Sequence, residues 1–176
     1  DLLGSRGLGD VYKRQHWFRQ DLRIKDNPSL EAASKCDSFI PIYILDDTNS
    51  GEFKMGSASR WWLYHSLNKL NESLGGSLRF FKGDPCEILP KLIEDYSVSN
   101  VFWNRCYEPW RIDRDKKIKN ELETNNIIVE SFCGSLLWEP WNISKDDGTP
   151  YRVFTPYYKK GCLNACLLYT SDAADE

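Results

Sequence analysis

The sequence predicts an α/β fold, a parallel sheet with helices on both faces. Three observations predict it. Short apolar runs alternate with helical stretches from His16 to Phe132, the pattern of repeated βαβ units. The run Ser38–Leu45 (SFIPIYIL) is almost wholly apolar, as a strand covered on both faces has to be. Asn27-Pro28 and Asp84-Pro85 each follow a strand-like run, and a capping side chain followed by proline is a helix start.

The elements follow in order. His16-Trp17-Phe18 reads as a strand. It opens into a polar loop of alternating charge, Arg19, Asp21, Arg23, Lys25 and Asp26, and a helix starts at Pro28. Loops of this kind, at the carboxyl ends of strands, are where open α/β sheets gather ligands. The strand Ser38–Leu45 closes in Asp46-Asp47. Ser57 is placed to cap a long helix whose stripe is Trp61, Leu63, Leu67, Leu70 and Leu74, stopped by Gly75-Gly76. Ser77–Lys82 is the third strand. Asp84 caps the next helix, with Glu87 at the capping-box position and Ile88, Leu89, Leu92 and Ile93 as its apolar side. Val101–Trp103 is the fourth strand and Asn104–Arg111 its exit loop. A charged helix over Asp113–Asn125, with Ile118 and Leu122 inward, leads to a fifth strand at Ile127–Phe132. From Leu136 to Pro156 the chain is rich in Trp, Pro, Asp and Gly and reads as an irregular linker.

Bulk properties narrow the function. A chain of 176 residues with net charge -3 fits one domain and offers no nucleic-acid surface of its own. No apolar run spans a bilayer, and no signal peptide precedes the first strand. The 6 cysteines form no C-x-x-C pair, so no metal site is expected and a reducing, cytoplasmic setting fits. There is no dinucleotide fingerprint, P-loop or nucleophile elbow. His16 and His65 are assigned structural roles. Lys13-Arg14-Gln15 suits a central strand poorly. Residues 1–15 and 166–176 are therefore read as tails foreign to the fold, around a domain over 16–135 and a linker over 136–165.

Several stretches together resemble one family. Trp17-Phe18-Arg19-Gln20-Asp21-Leu22-Arg23 with Asp26-Asn27 is similar to the opening strand and loop of the DNA photolyases and cryptochromes. Gly56–Leu63 with Ser66-Leu67, Gly83-Asp84-Pro85, Trp103-Asn104 with Tyr107-Glu108-Pro109, Arg114-Asp115, and Tyr151 with Phe154-Thr155-Pro156-Tyr157 follow in the family's order. The resemblance implies a Rossmann-like, doubly wound five-stranded sheet of order 3-2-1-4-5. The Arg19–Asn27 loop then lies beside the Asn104–Arg111 loop. It implies an N-terminal antenna domain, holding a deazaflavin or methenyltetrahydrofolate pigment. FAD and the contacts to damaged DNA belong to a helical domain further on, so no catalytic residue is expected here. The tryptophans are assigned to core packing.

By position, Arg60, Cys106 and Glu108 match contact residues of deazaflavin-binding relatives. Trp110 and Arg111 stand where folate-binding relatives place an Asn-Glu pair, and an arginine cannot accept hydrogen bonds as a carboxylate does. Cys106 in turn replaces an acidic group. Chemically, Glu108 and Asp46 suit as acceptors for a heterocycle's N–H groups, Arg60 suits an anionic or carbonyl edge, and Trp110 suits stacking. The implied whole protein is a monomeric photolyase that repairs cyclobutane pyrimidine dimers in blue light. A cryptochrome photoreceptor and a stand-alone nucleotide-like ligand-binding α/β domain are the alternatives.

Overall fold

The computed structural model of the protein describes residues 13–35 and 38–163. Of the two supposed tails, residues 1–12 and 166–176 lie outside the described residues, as do residues 164–165 of the supposed linker. The chain divides after Ser135 into two compact units.

The first unit runs β1 (Lys13–Phe18), α1 (Pro28–Ser34), β2 (Phe39–Leu45), α2 (Ser57–Ser73), β3 (Arg79–Lys82), α3 (Pro85–Tyr96), β4 (Val98–Asn104), α4 (Pro109–Thr124) and β5 (Ile128–Phe132). The strands form one sheet of order β3-β2-β1-β4-β5. Every neighbouring pair is parallel. The fold is therefore the doubly wound α/β sheet that the alternation and the resemblance imply.

Period-two alternation along the strands sorts their side chains to two faces. Trp17, Ile42, Ile44, Val101, Trp103 and Val129 pack with Leu89, Leu92 and Ile93 of α3 and Ile118 and Leu122 of α4. Phe18 and Tyr43 turn the other way, onto Leu30 of α1 and Leu67 and Leu70 of α2. Each such aliphatic or Phe side chain contributes about 1.5–3 kcal/mol by leaving water. These two layers hold the helices in place more than helix propensity does.

Local chemistry sets the helix ends. Asn27 accepts from the Leu30 N–H at 3.2 Å, and Asp84 from the Cys86 N–H at 2.9 Å, each one residue before a proline. Gly75 and Gly76 end α2 with φ of 63° and 79°, a backbone that a side chain would strain.

Five expectations need correction. The central strand starts at Lys13, so Lys13, Arg14 and Gln15 belong to the sheet. Arg14 escapes the interior by donating to the Ala32 carbonyl at 2.8 Å with its guanidinium over Phe102, while Gln15 is buried with neither amide atom partnered. Gly56, not Ser57, is the N-cap of α2, and no side chain caps it. Trp61 is no part of the α2 stripe, because 63% of it is exposed. Finally, α4 starts at Pro109, four residues before the predicted Asp113, because Pro109 takes the first helical position. Trp110 and Arg111 therefore sit in a helical turn. Nor do the tryptophans share one role: Trp17 and Trp103 are core, while Trp61, Trp62 and Trp141 are exposed.

In the second unit, residues 136–149 form turns. The Lys145 N–H donates to the Thr149 carbonyl at 2.9 Å, and Asp147 accepts from the Thr149 backbone N–H at 2.9 Å. A helical turn over Phe154–Pro156 continues into a π-helical turn over Tyr157–Cys162. Phe154 and Tyr158 stack at 5.8 Å between ring centroids.

Candidate functional site

The order β3-β2-β1-β4-β5 reverses direction between β1 and β4. The connections leaving these two strands lead to helices on opposite faces of the sheet, and a crevice forms at the strands' carboxyl ends. The Arg19–Asn27 loop and the Asn104–Arg111 loop meet there. Arg19 donates to the Asn104 carbonyl and pairs with Asp115. The Asn104 side-chain amide donates to Asp21 and to Asn27, the latter at 2.8 Å. Gln20 donates to Glu108 at 2.7 Å. Arg23 reaches the Gly134 carbonyl. A Cβ on Gly134 would stand 2.4 Å from the Asn104 side chain, so this crossing needs glycine.

A second cluster joins β2 to α4. Arg114 donates to Asp46 at 2.8 Å and to Asp115 at 2.7 Å, with its side chain and that of Asp46 almost fully buried. Burial works against the Arg114 charge, but Asp115 and Asp46 hold its pKa above the ordinary arginine value. Asp46 also accepts the backbone N–H groups of Thr48 and Asn49 at 3.1 and 2.9 Å. Its lone pairs are committed, so Asp46 lines the site without being a free acceptor, contrary to the sequence expectation.

A cleft of about 840 Å³ lies over these groups. Trp17 and Tyr43 form its floor, Trp62 and Met55 come from the α2 side, and Trp110, Arg111 and Arg114 come from α4. Burial pushes the Tyr43 hydroxyl up to about 12, so it stays a neutral donor. Three buried polar atoms of cleft-lining residues have no partner, Ser50 Oγ, Trp17 Nε1 and Arg19 Nε, whereas Arg111 Nε lies 3.5 Å from Glu108 Oε2 in an ion pair. A buried polar atom left unpaired costs about 1–3 kcal/mol, so a polar ligand here would gain by satisfying them.

The sequence-predicted residues separate. Asp46, Trp110 and Arg111 line the cleft; Arg60, Cys106 and Glu108 are not among its lining residues. Arg60 is held by both oxygens of Asp47, at 3.0 and 2.8 Å, and by the Met55 carbonyl; that hydrogen bond keeps the Asp47 pKa low. Cys106 is buried, and burial raises its thiol pKa against the opposing pull of Arg19 and Arg111. For Glu108, burial is outweighed by a hydrogen bond from its own backbone N–H, the Gln20 hydrogen bond and the Arg111 charge, so its pKa lies below the usual carboxylate value and it stays ionised at neutral pH. Among the described residues no cluster of His, Cys, Asp and Glu could hold a metal ion, and no helix is long and apolar enough to cross a membrane.

The family described as DNA photolyase matches residues 15–173. The chain belongs to the DNA photolyase family. The deoxyribodipyrimidine photo-lyase of Agrobacterium fabrum is 41% identical over 147 residues, 81% of this chain and 30% of that protein. Cryptochrome-2 of Arabidopsis thaliana is 39% identical over 155 residues, 86% of this chain and 25% of that protein. A bacterial class III photolyase from Agrobacterium tumefaciens superposes with a TM-score of 0.79 at 36% identity, over 89% of this chain and 33% of that one. The chain thus spans a third or less of these photolyases and cryptochromes.

Within this photolyase-family domain, Arg114, Tyr43, Ser50 and Trp62 line the cleft although sequence reasoning gave them no site role. A signal for Arg114 existed. It stands four and eight residues before Ile118 and Leu122, on the one apolar stripe of α4, and a charge on such a stripe is a paired, buried charge. Ser50 and Trp62 carry no such signal, because a loop and the exposed side of a helix gain meaning only when packing brings them to a cleft.

Proposed function

We propose that this chain is the N-terminal, antenna-holding domain of a deoxyribodipyrimidine photolyase, a flavin-dependent enzyme that repairs cyclobutane pyrimidine dimers under blue light. The observation that carries the reading is the cleft at the switch point of the sheet, with aromatic walls and unpartnered buried polar atoms. A flat heterocycle with amide edges fits that chemistry. Trp110 and Trp62 would flank it, Ser50 and Arg111 would bond its polar edges, and Arg23 would meet an anionic tail. When bound, such a pigment supplies light capture and passes excitation to the flavin. A flavin-type pigment fits better than folate, because Arg111 offers donors where the folate pattern needs a carboxylate. The archaeal photolyase of Sulfolobus tokodaii, with its two FAD molecules and implied novel light-harvesting cofactor, adds support. FAD for repair and the contacts to damaged DNA would lie in the remainder of the longer protein, acting as a monomer in the cytoplasm. The free cysteines Cys86, Cys106 and Cys162 suit a reducing compartment.

A cryptochrome photoreceptor is the second reading, favoured by the nearly equal identity to Cryptochrome-2. The test is the full-length protein on irradiated DNA. Light-dependent loss of dimers supports repair. Flavin photoreduction with no loss of dimers supports the photoreceptor and removes the enzyme. An absorption spectrum that flavin alone accounts for removes the antenna.

A further inference from the structure

Three arginines and two tryptophans of the cleft alternate along its wall. The Arg19 guanidinium carbon lies 5.1 Å from the Trp17 ring centroid, and that of Arg114 lies 5.0 Å from the same ring. Arg114 is also 5.2 Å from the Trp110 ring, which Arg111 approaches at 4.7 Å. The stack reads Arg19, Trp17, Arg114, Trp110, Arg111. Arg19 also stands 5.9 Å from Trp103, itself edge-on to Trp17 at 5.7 Å. Cation–π attraction gives the ladder some stability, but fewer arginines would hold two rings. Two of these cations are buried at a desolvation cost, which their carboxylate partners Asp46 and Asp115 offset.

The arrangement has a consequence for light. An indole beside an excited planar heterocycle is an electron donor. Loss of one electron from the ring leaves an indole radical cation while the electron passes to the excited heterocycle, and its return ends the excitation as heat. A guanidinium held near the ring opposes the positive charge that this loss creates there, and does so more strongly out of water. We propose that the ladder keeps Trp17 and Trp110 from quenching an excited heterocycle in the cleft, so that absorbed energy is passed on instead of being lost at the walls. Arg19, Arg111 and Arg114 are then positioning residues that tune the indoles. The inference rests on the antenna reading above.

Time-resolved fluorescence tests it. FMN and 5,10-methenyltetrahydrofolate serve as probes on the full chain of 176 residues, with anisotropy separating the bound fraction. Trp17→Phe and Trp110→Phe, each with the arginines intact, leave the bound-probe lifetime unchanged. Arg111→Gln, on the first turn of α4 and outside the buried network, shortens it severalfold, and adding Trp110→Phe restores it. A longer lifetime in either tryptophan variant, or no shortening in Arg111→Gln, overturns the inference while leaving the antenna reading in place. Failure of both probes to bind removes the antenna reading and the inference together.

Discussion

At the scale of single residues, burial decides more than residue type. Gln15 sits between Ile40 on β2 and Val101 on β4, fully buried, with both amide atoms unpaired. Replacing it by an apolar residue removes a desolvation cost without opening a large cavity. Gln15→Val is expected to stabilise the protein by about 1–3 kcal/mol, read as a higher urea midpoint at unchanged m-value. His16 is buried beside it, with Nε2 2.8 Å from Ser29 Oγ. Burial first, and then the Arg19 charge, lower its pKa from 6.5 to about 3. In that interval the unfolded chain binds a proton that the folded chain refuses. Stability is therefore full above pH 6.5 and falls by about 1.4 kcal/mol for each pH unit below it, down to about pH 3. His16→Gln flattens this slope between pH 6.5 and 5, above the range where carboxylates titrate; denaturant unfolding at a series of pH values measures it.

At the scale of elements, the strands and the helix starts marked by a capping side chain before a proline are legible in the sequence, and side-chain duties are not. Asn27-Pro28 and Asp84-Pro85 mark their helices because capping is a local hydrogen bond between near neighbours. The start of α4 at Pro109 leaves no such mark, because Glu108 makes no side-chain cap, and the dense charge begins only at Asp113. The two capped helices differ in what else the cap does. Asp84 serves α3 and accepts from Asn49 at 2.9 Å, across a surface loop. Asn27 serves α1 and also accepts from the buried Asn104 amide, tying β4 to the first loop. Asp84→Ala is expected to cost about 1 kcal/mol, the usual value of a lost cap. Asn27→Ala costs about 1–3 kcal/mol more, because it orphans a buried donor of Asn104. Chemical denaturation of the two variants side by side gives the difference.

At the scale of the molecule, two packed layers enclose β1, while β3 and β5 lie at the edges. β3 is short and mostly exposed, with Arg79 and Lys82 at its ends, charges that discourage pairing with another chain. Amide exchange is expected to be slowest in β1 and β4 and fastest among the strands in β3, read by mass spectrometry on the folded protein. Apolar runs, caps and prolines by themselves determine an alternating α/β chain, because those signals act between residues close in sequence. Family resemblance added the strand order. Tertiary packing alone decided the site. It turned Asp46 from a free acceptor into a committed partner of Arg114, turned Arg60 toward Asp47, and left Cys106 and Glu108 out of the cleft lining. It also drew Ser50, Tyr43 and Trp62 to one cavity. The physical reason is distance along the chain: a hydrogen bond within one turn is written in neighbouring letters, whereas a contact between β2 and α4 exists only after the sheet has formed.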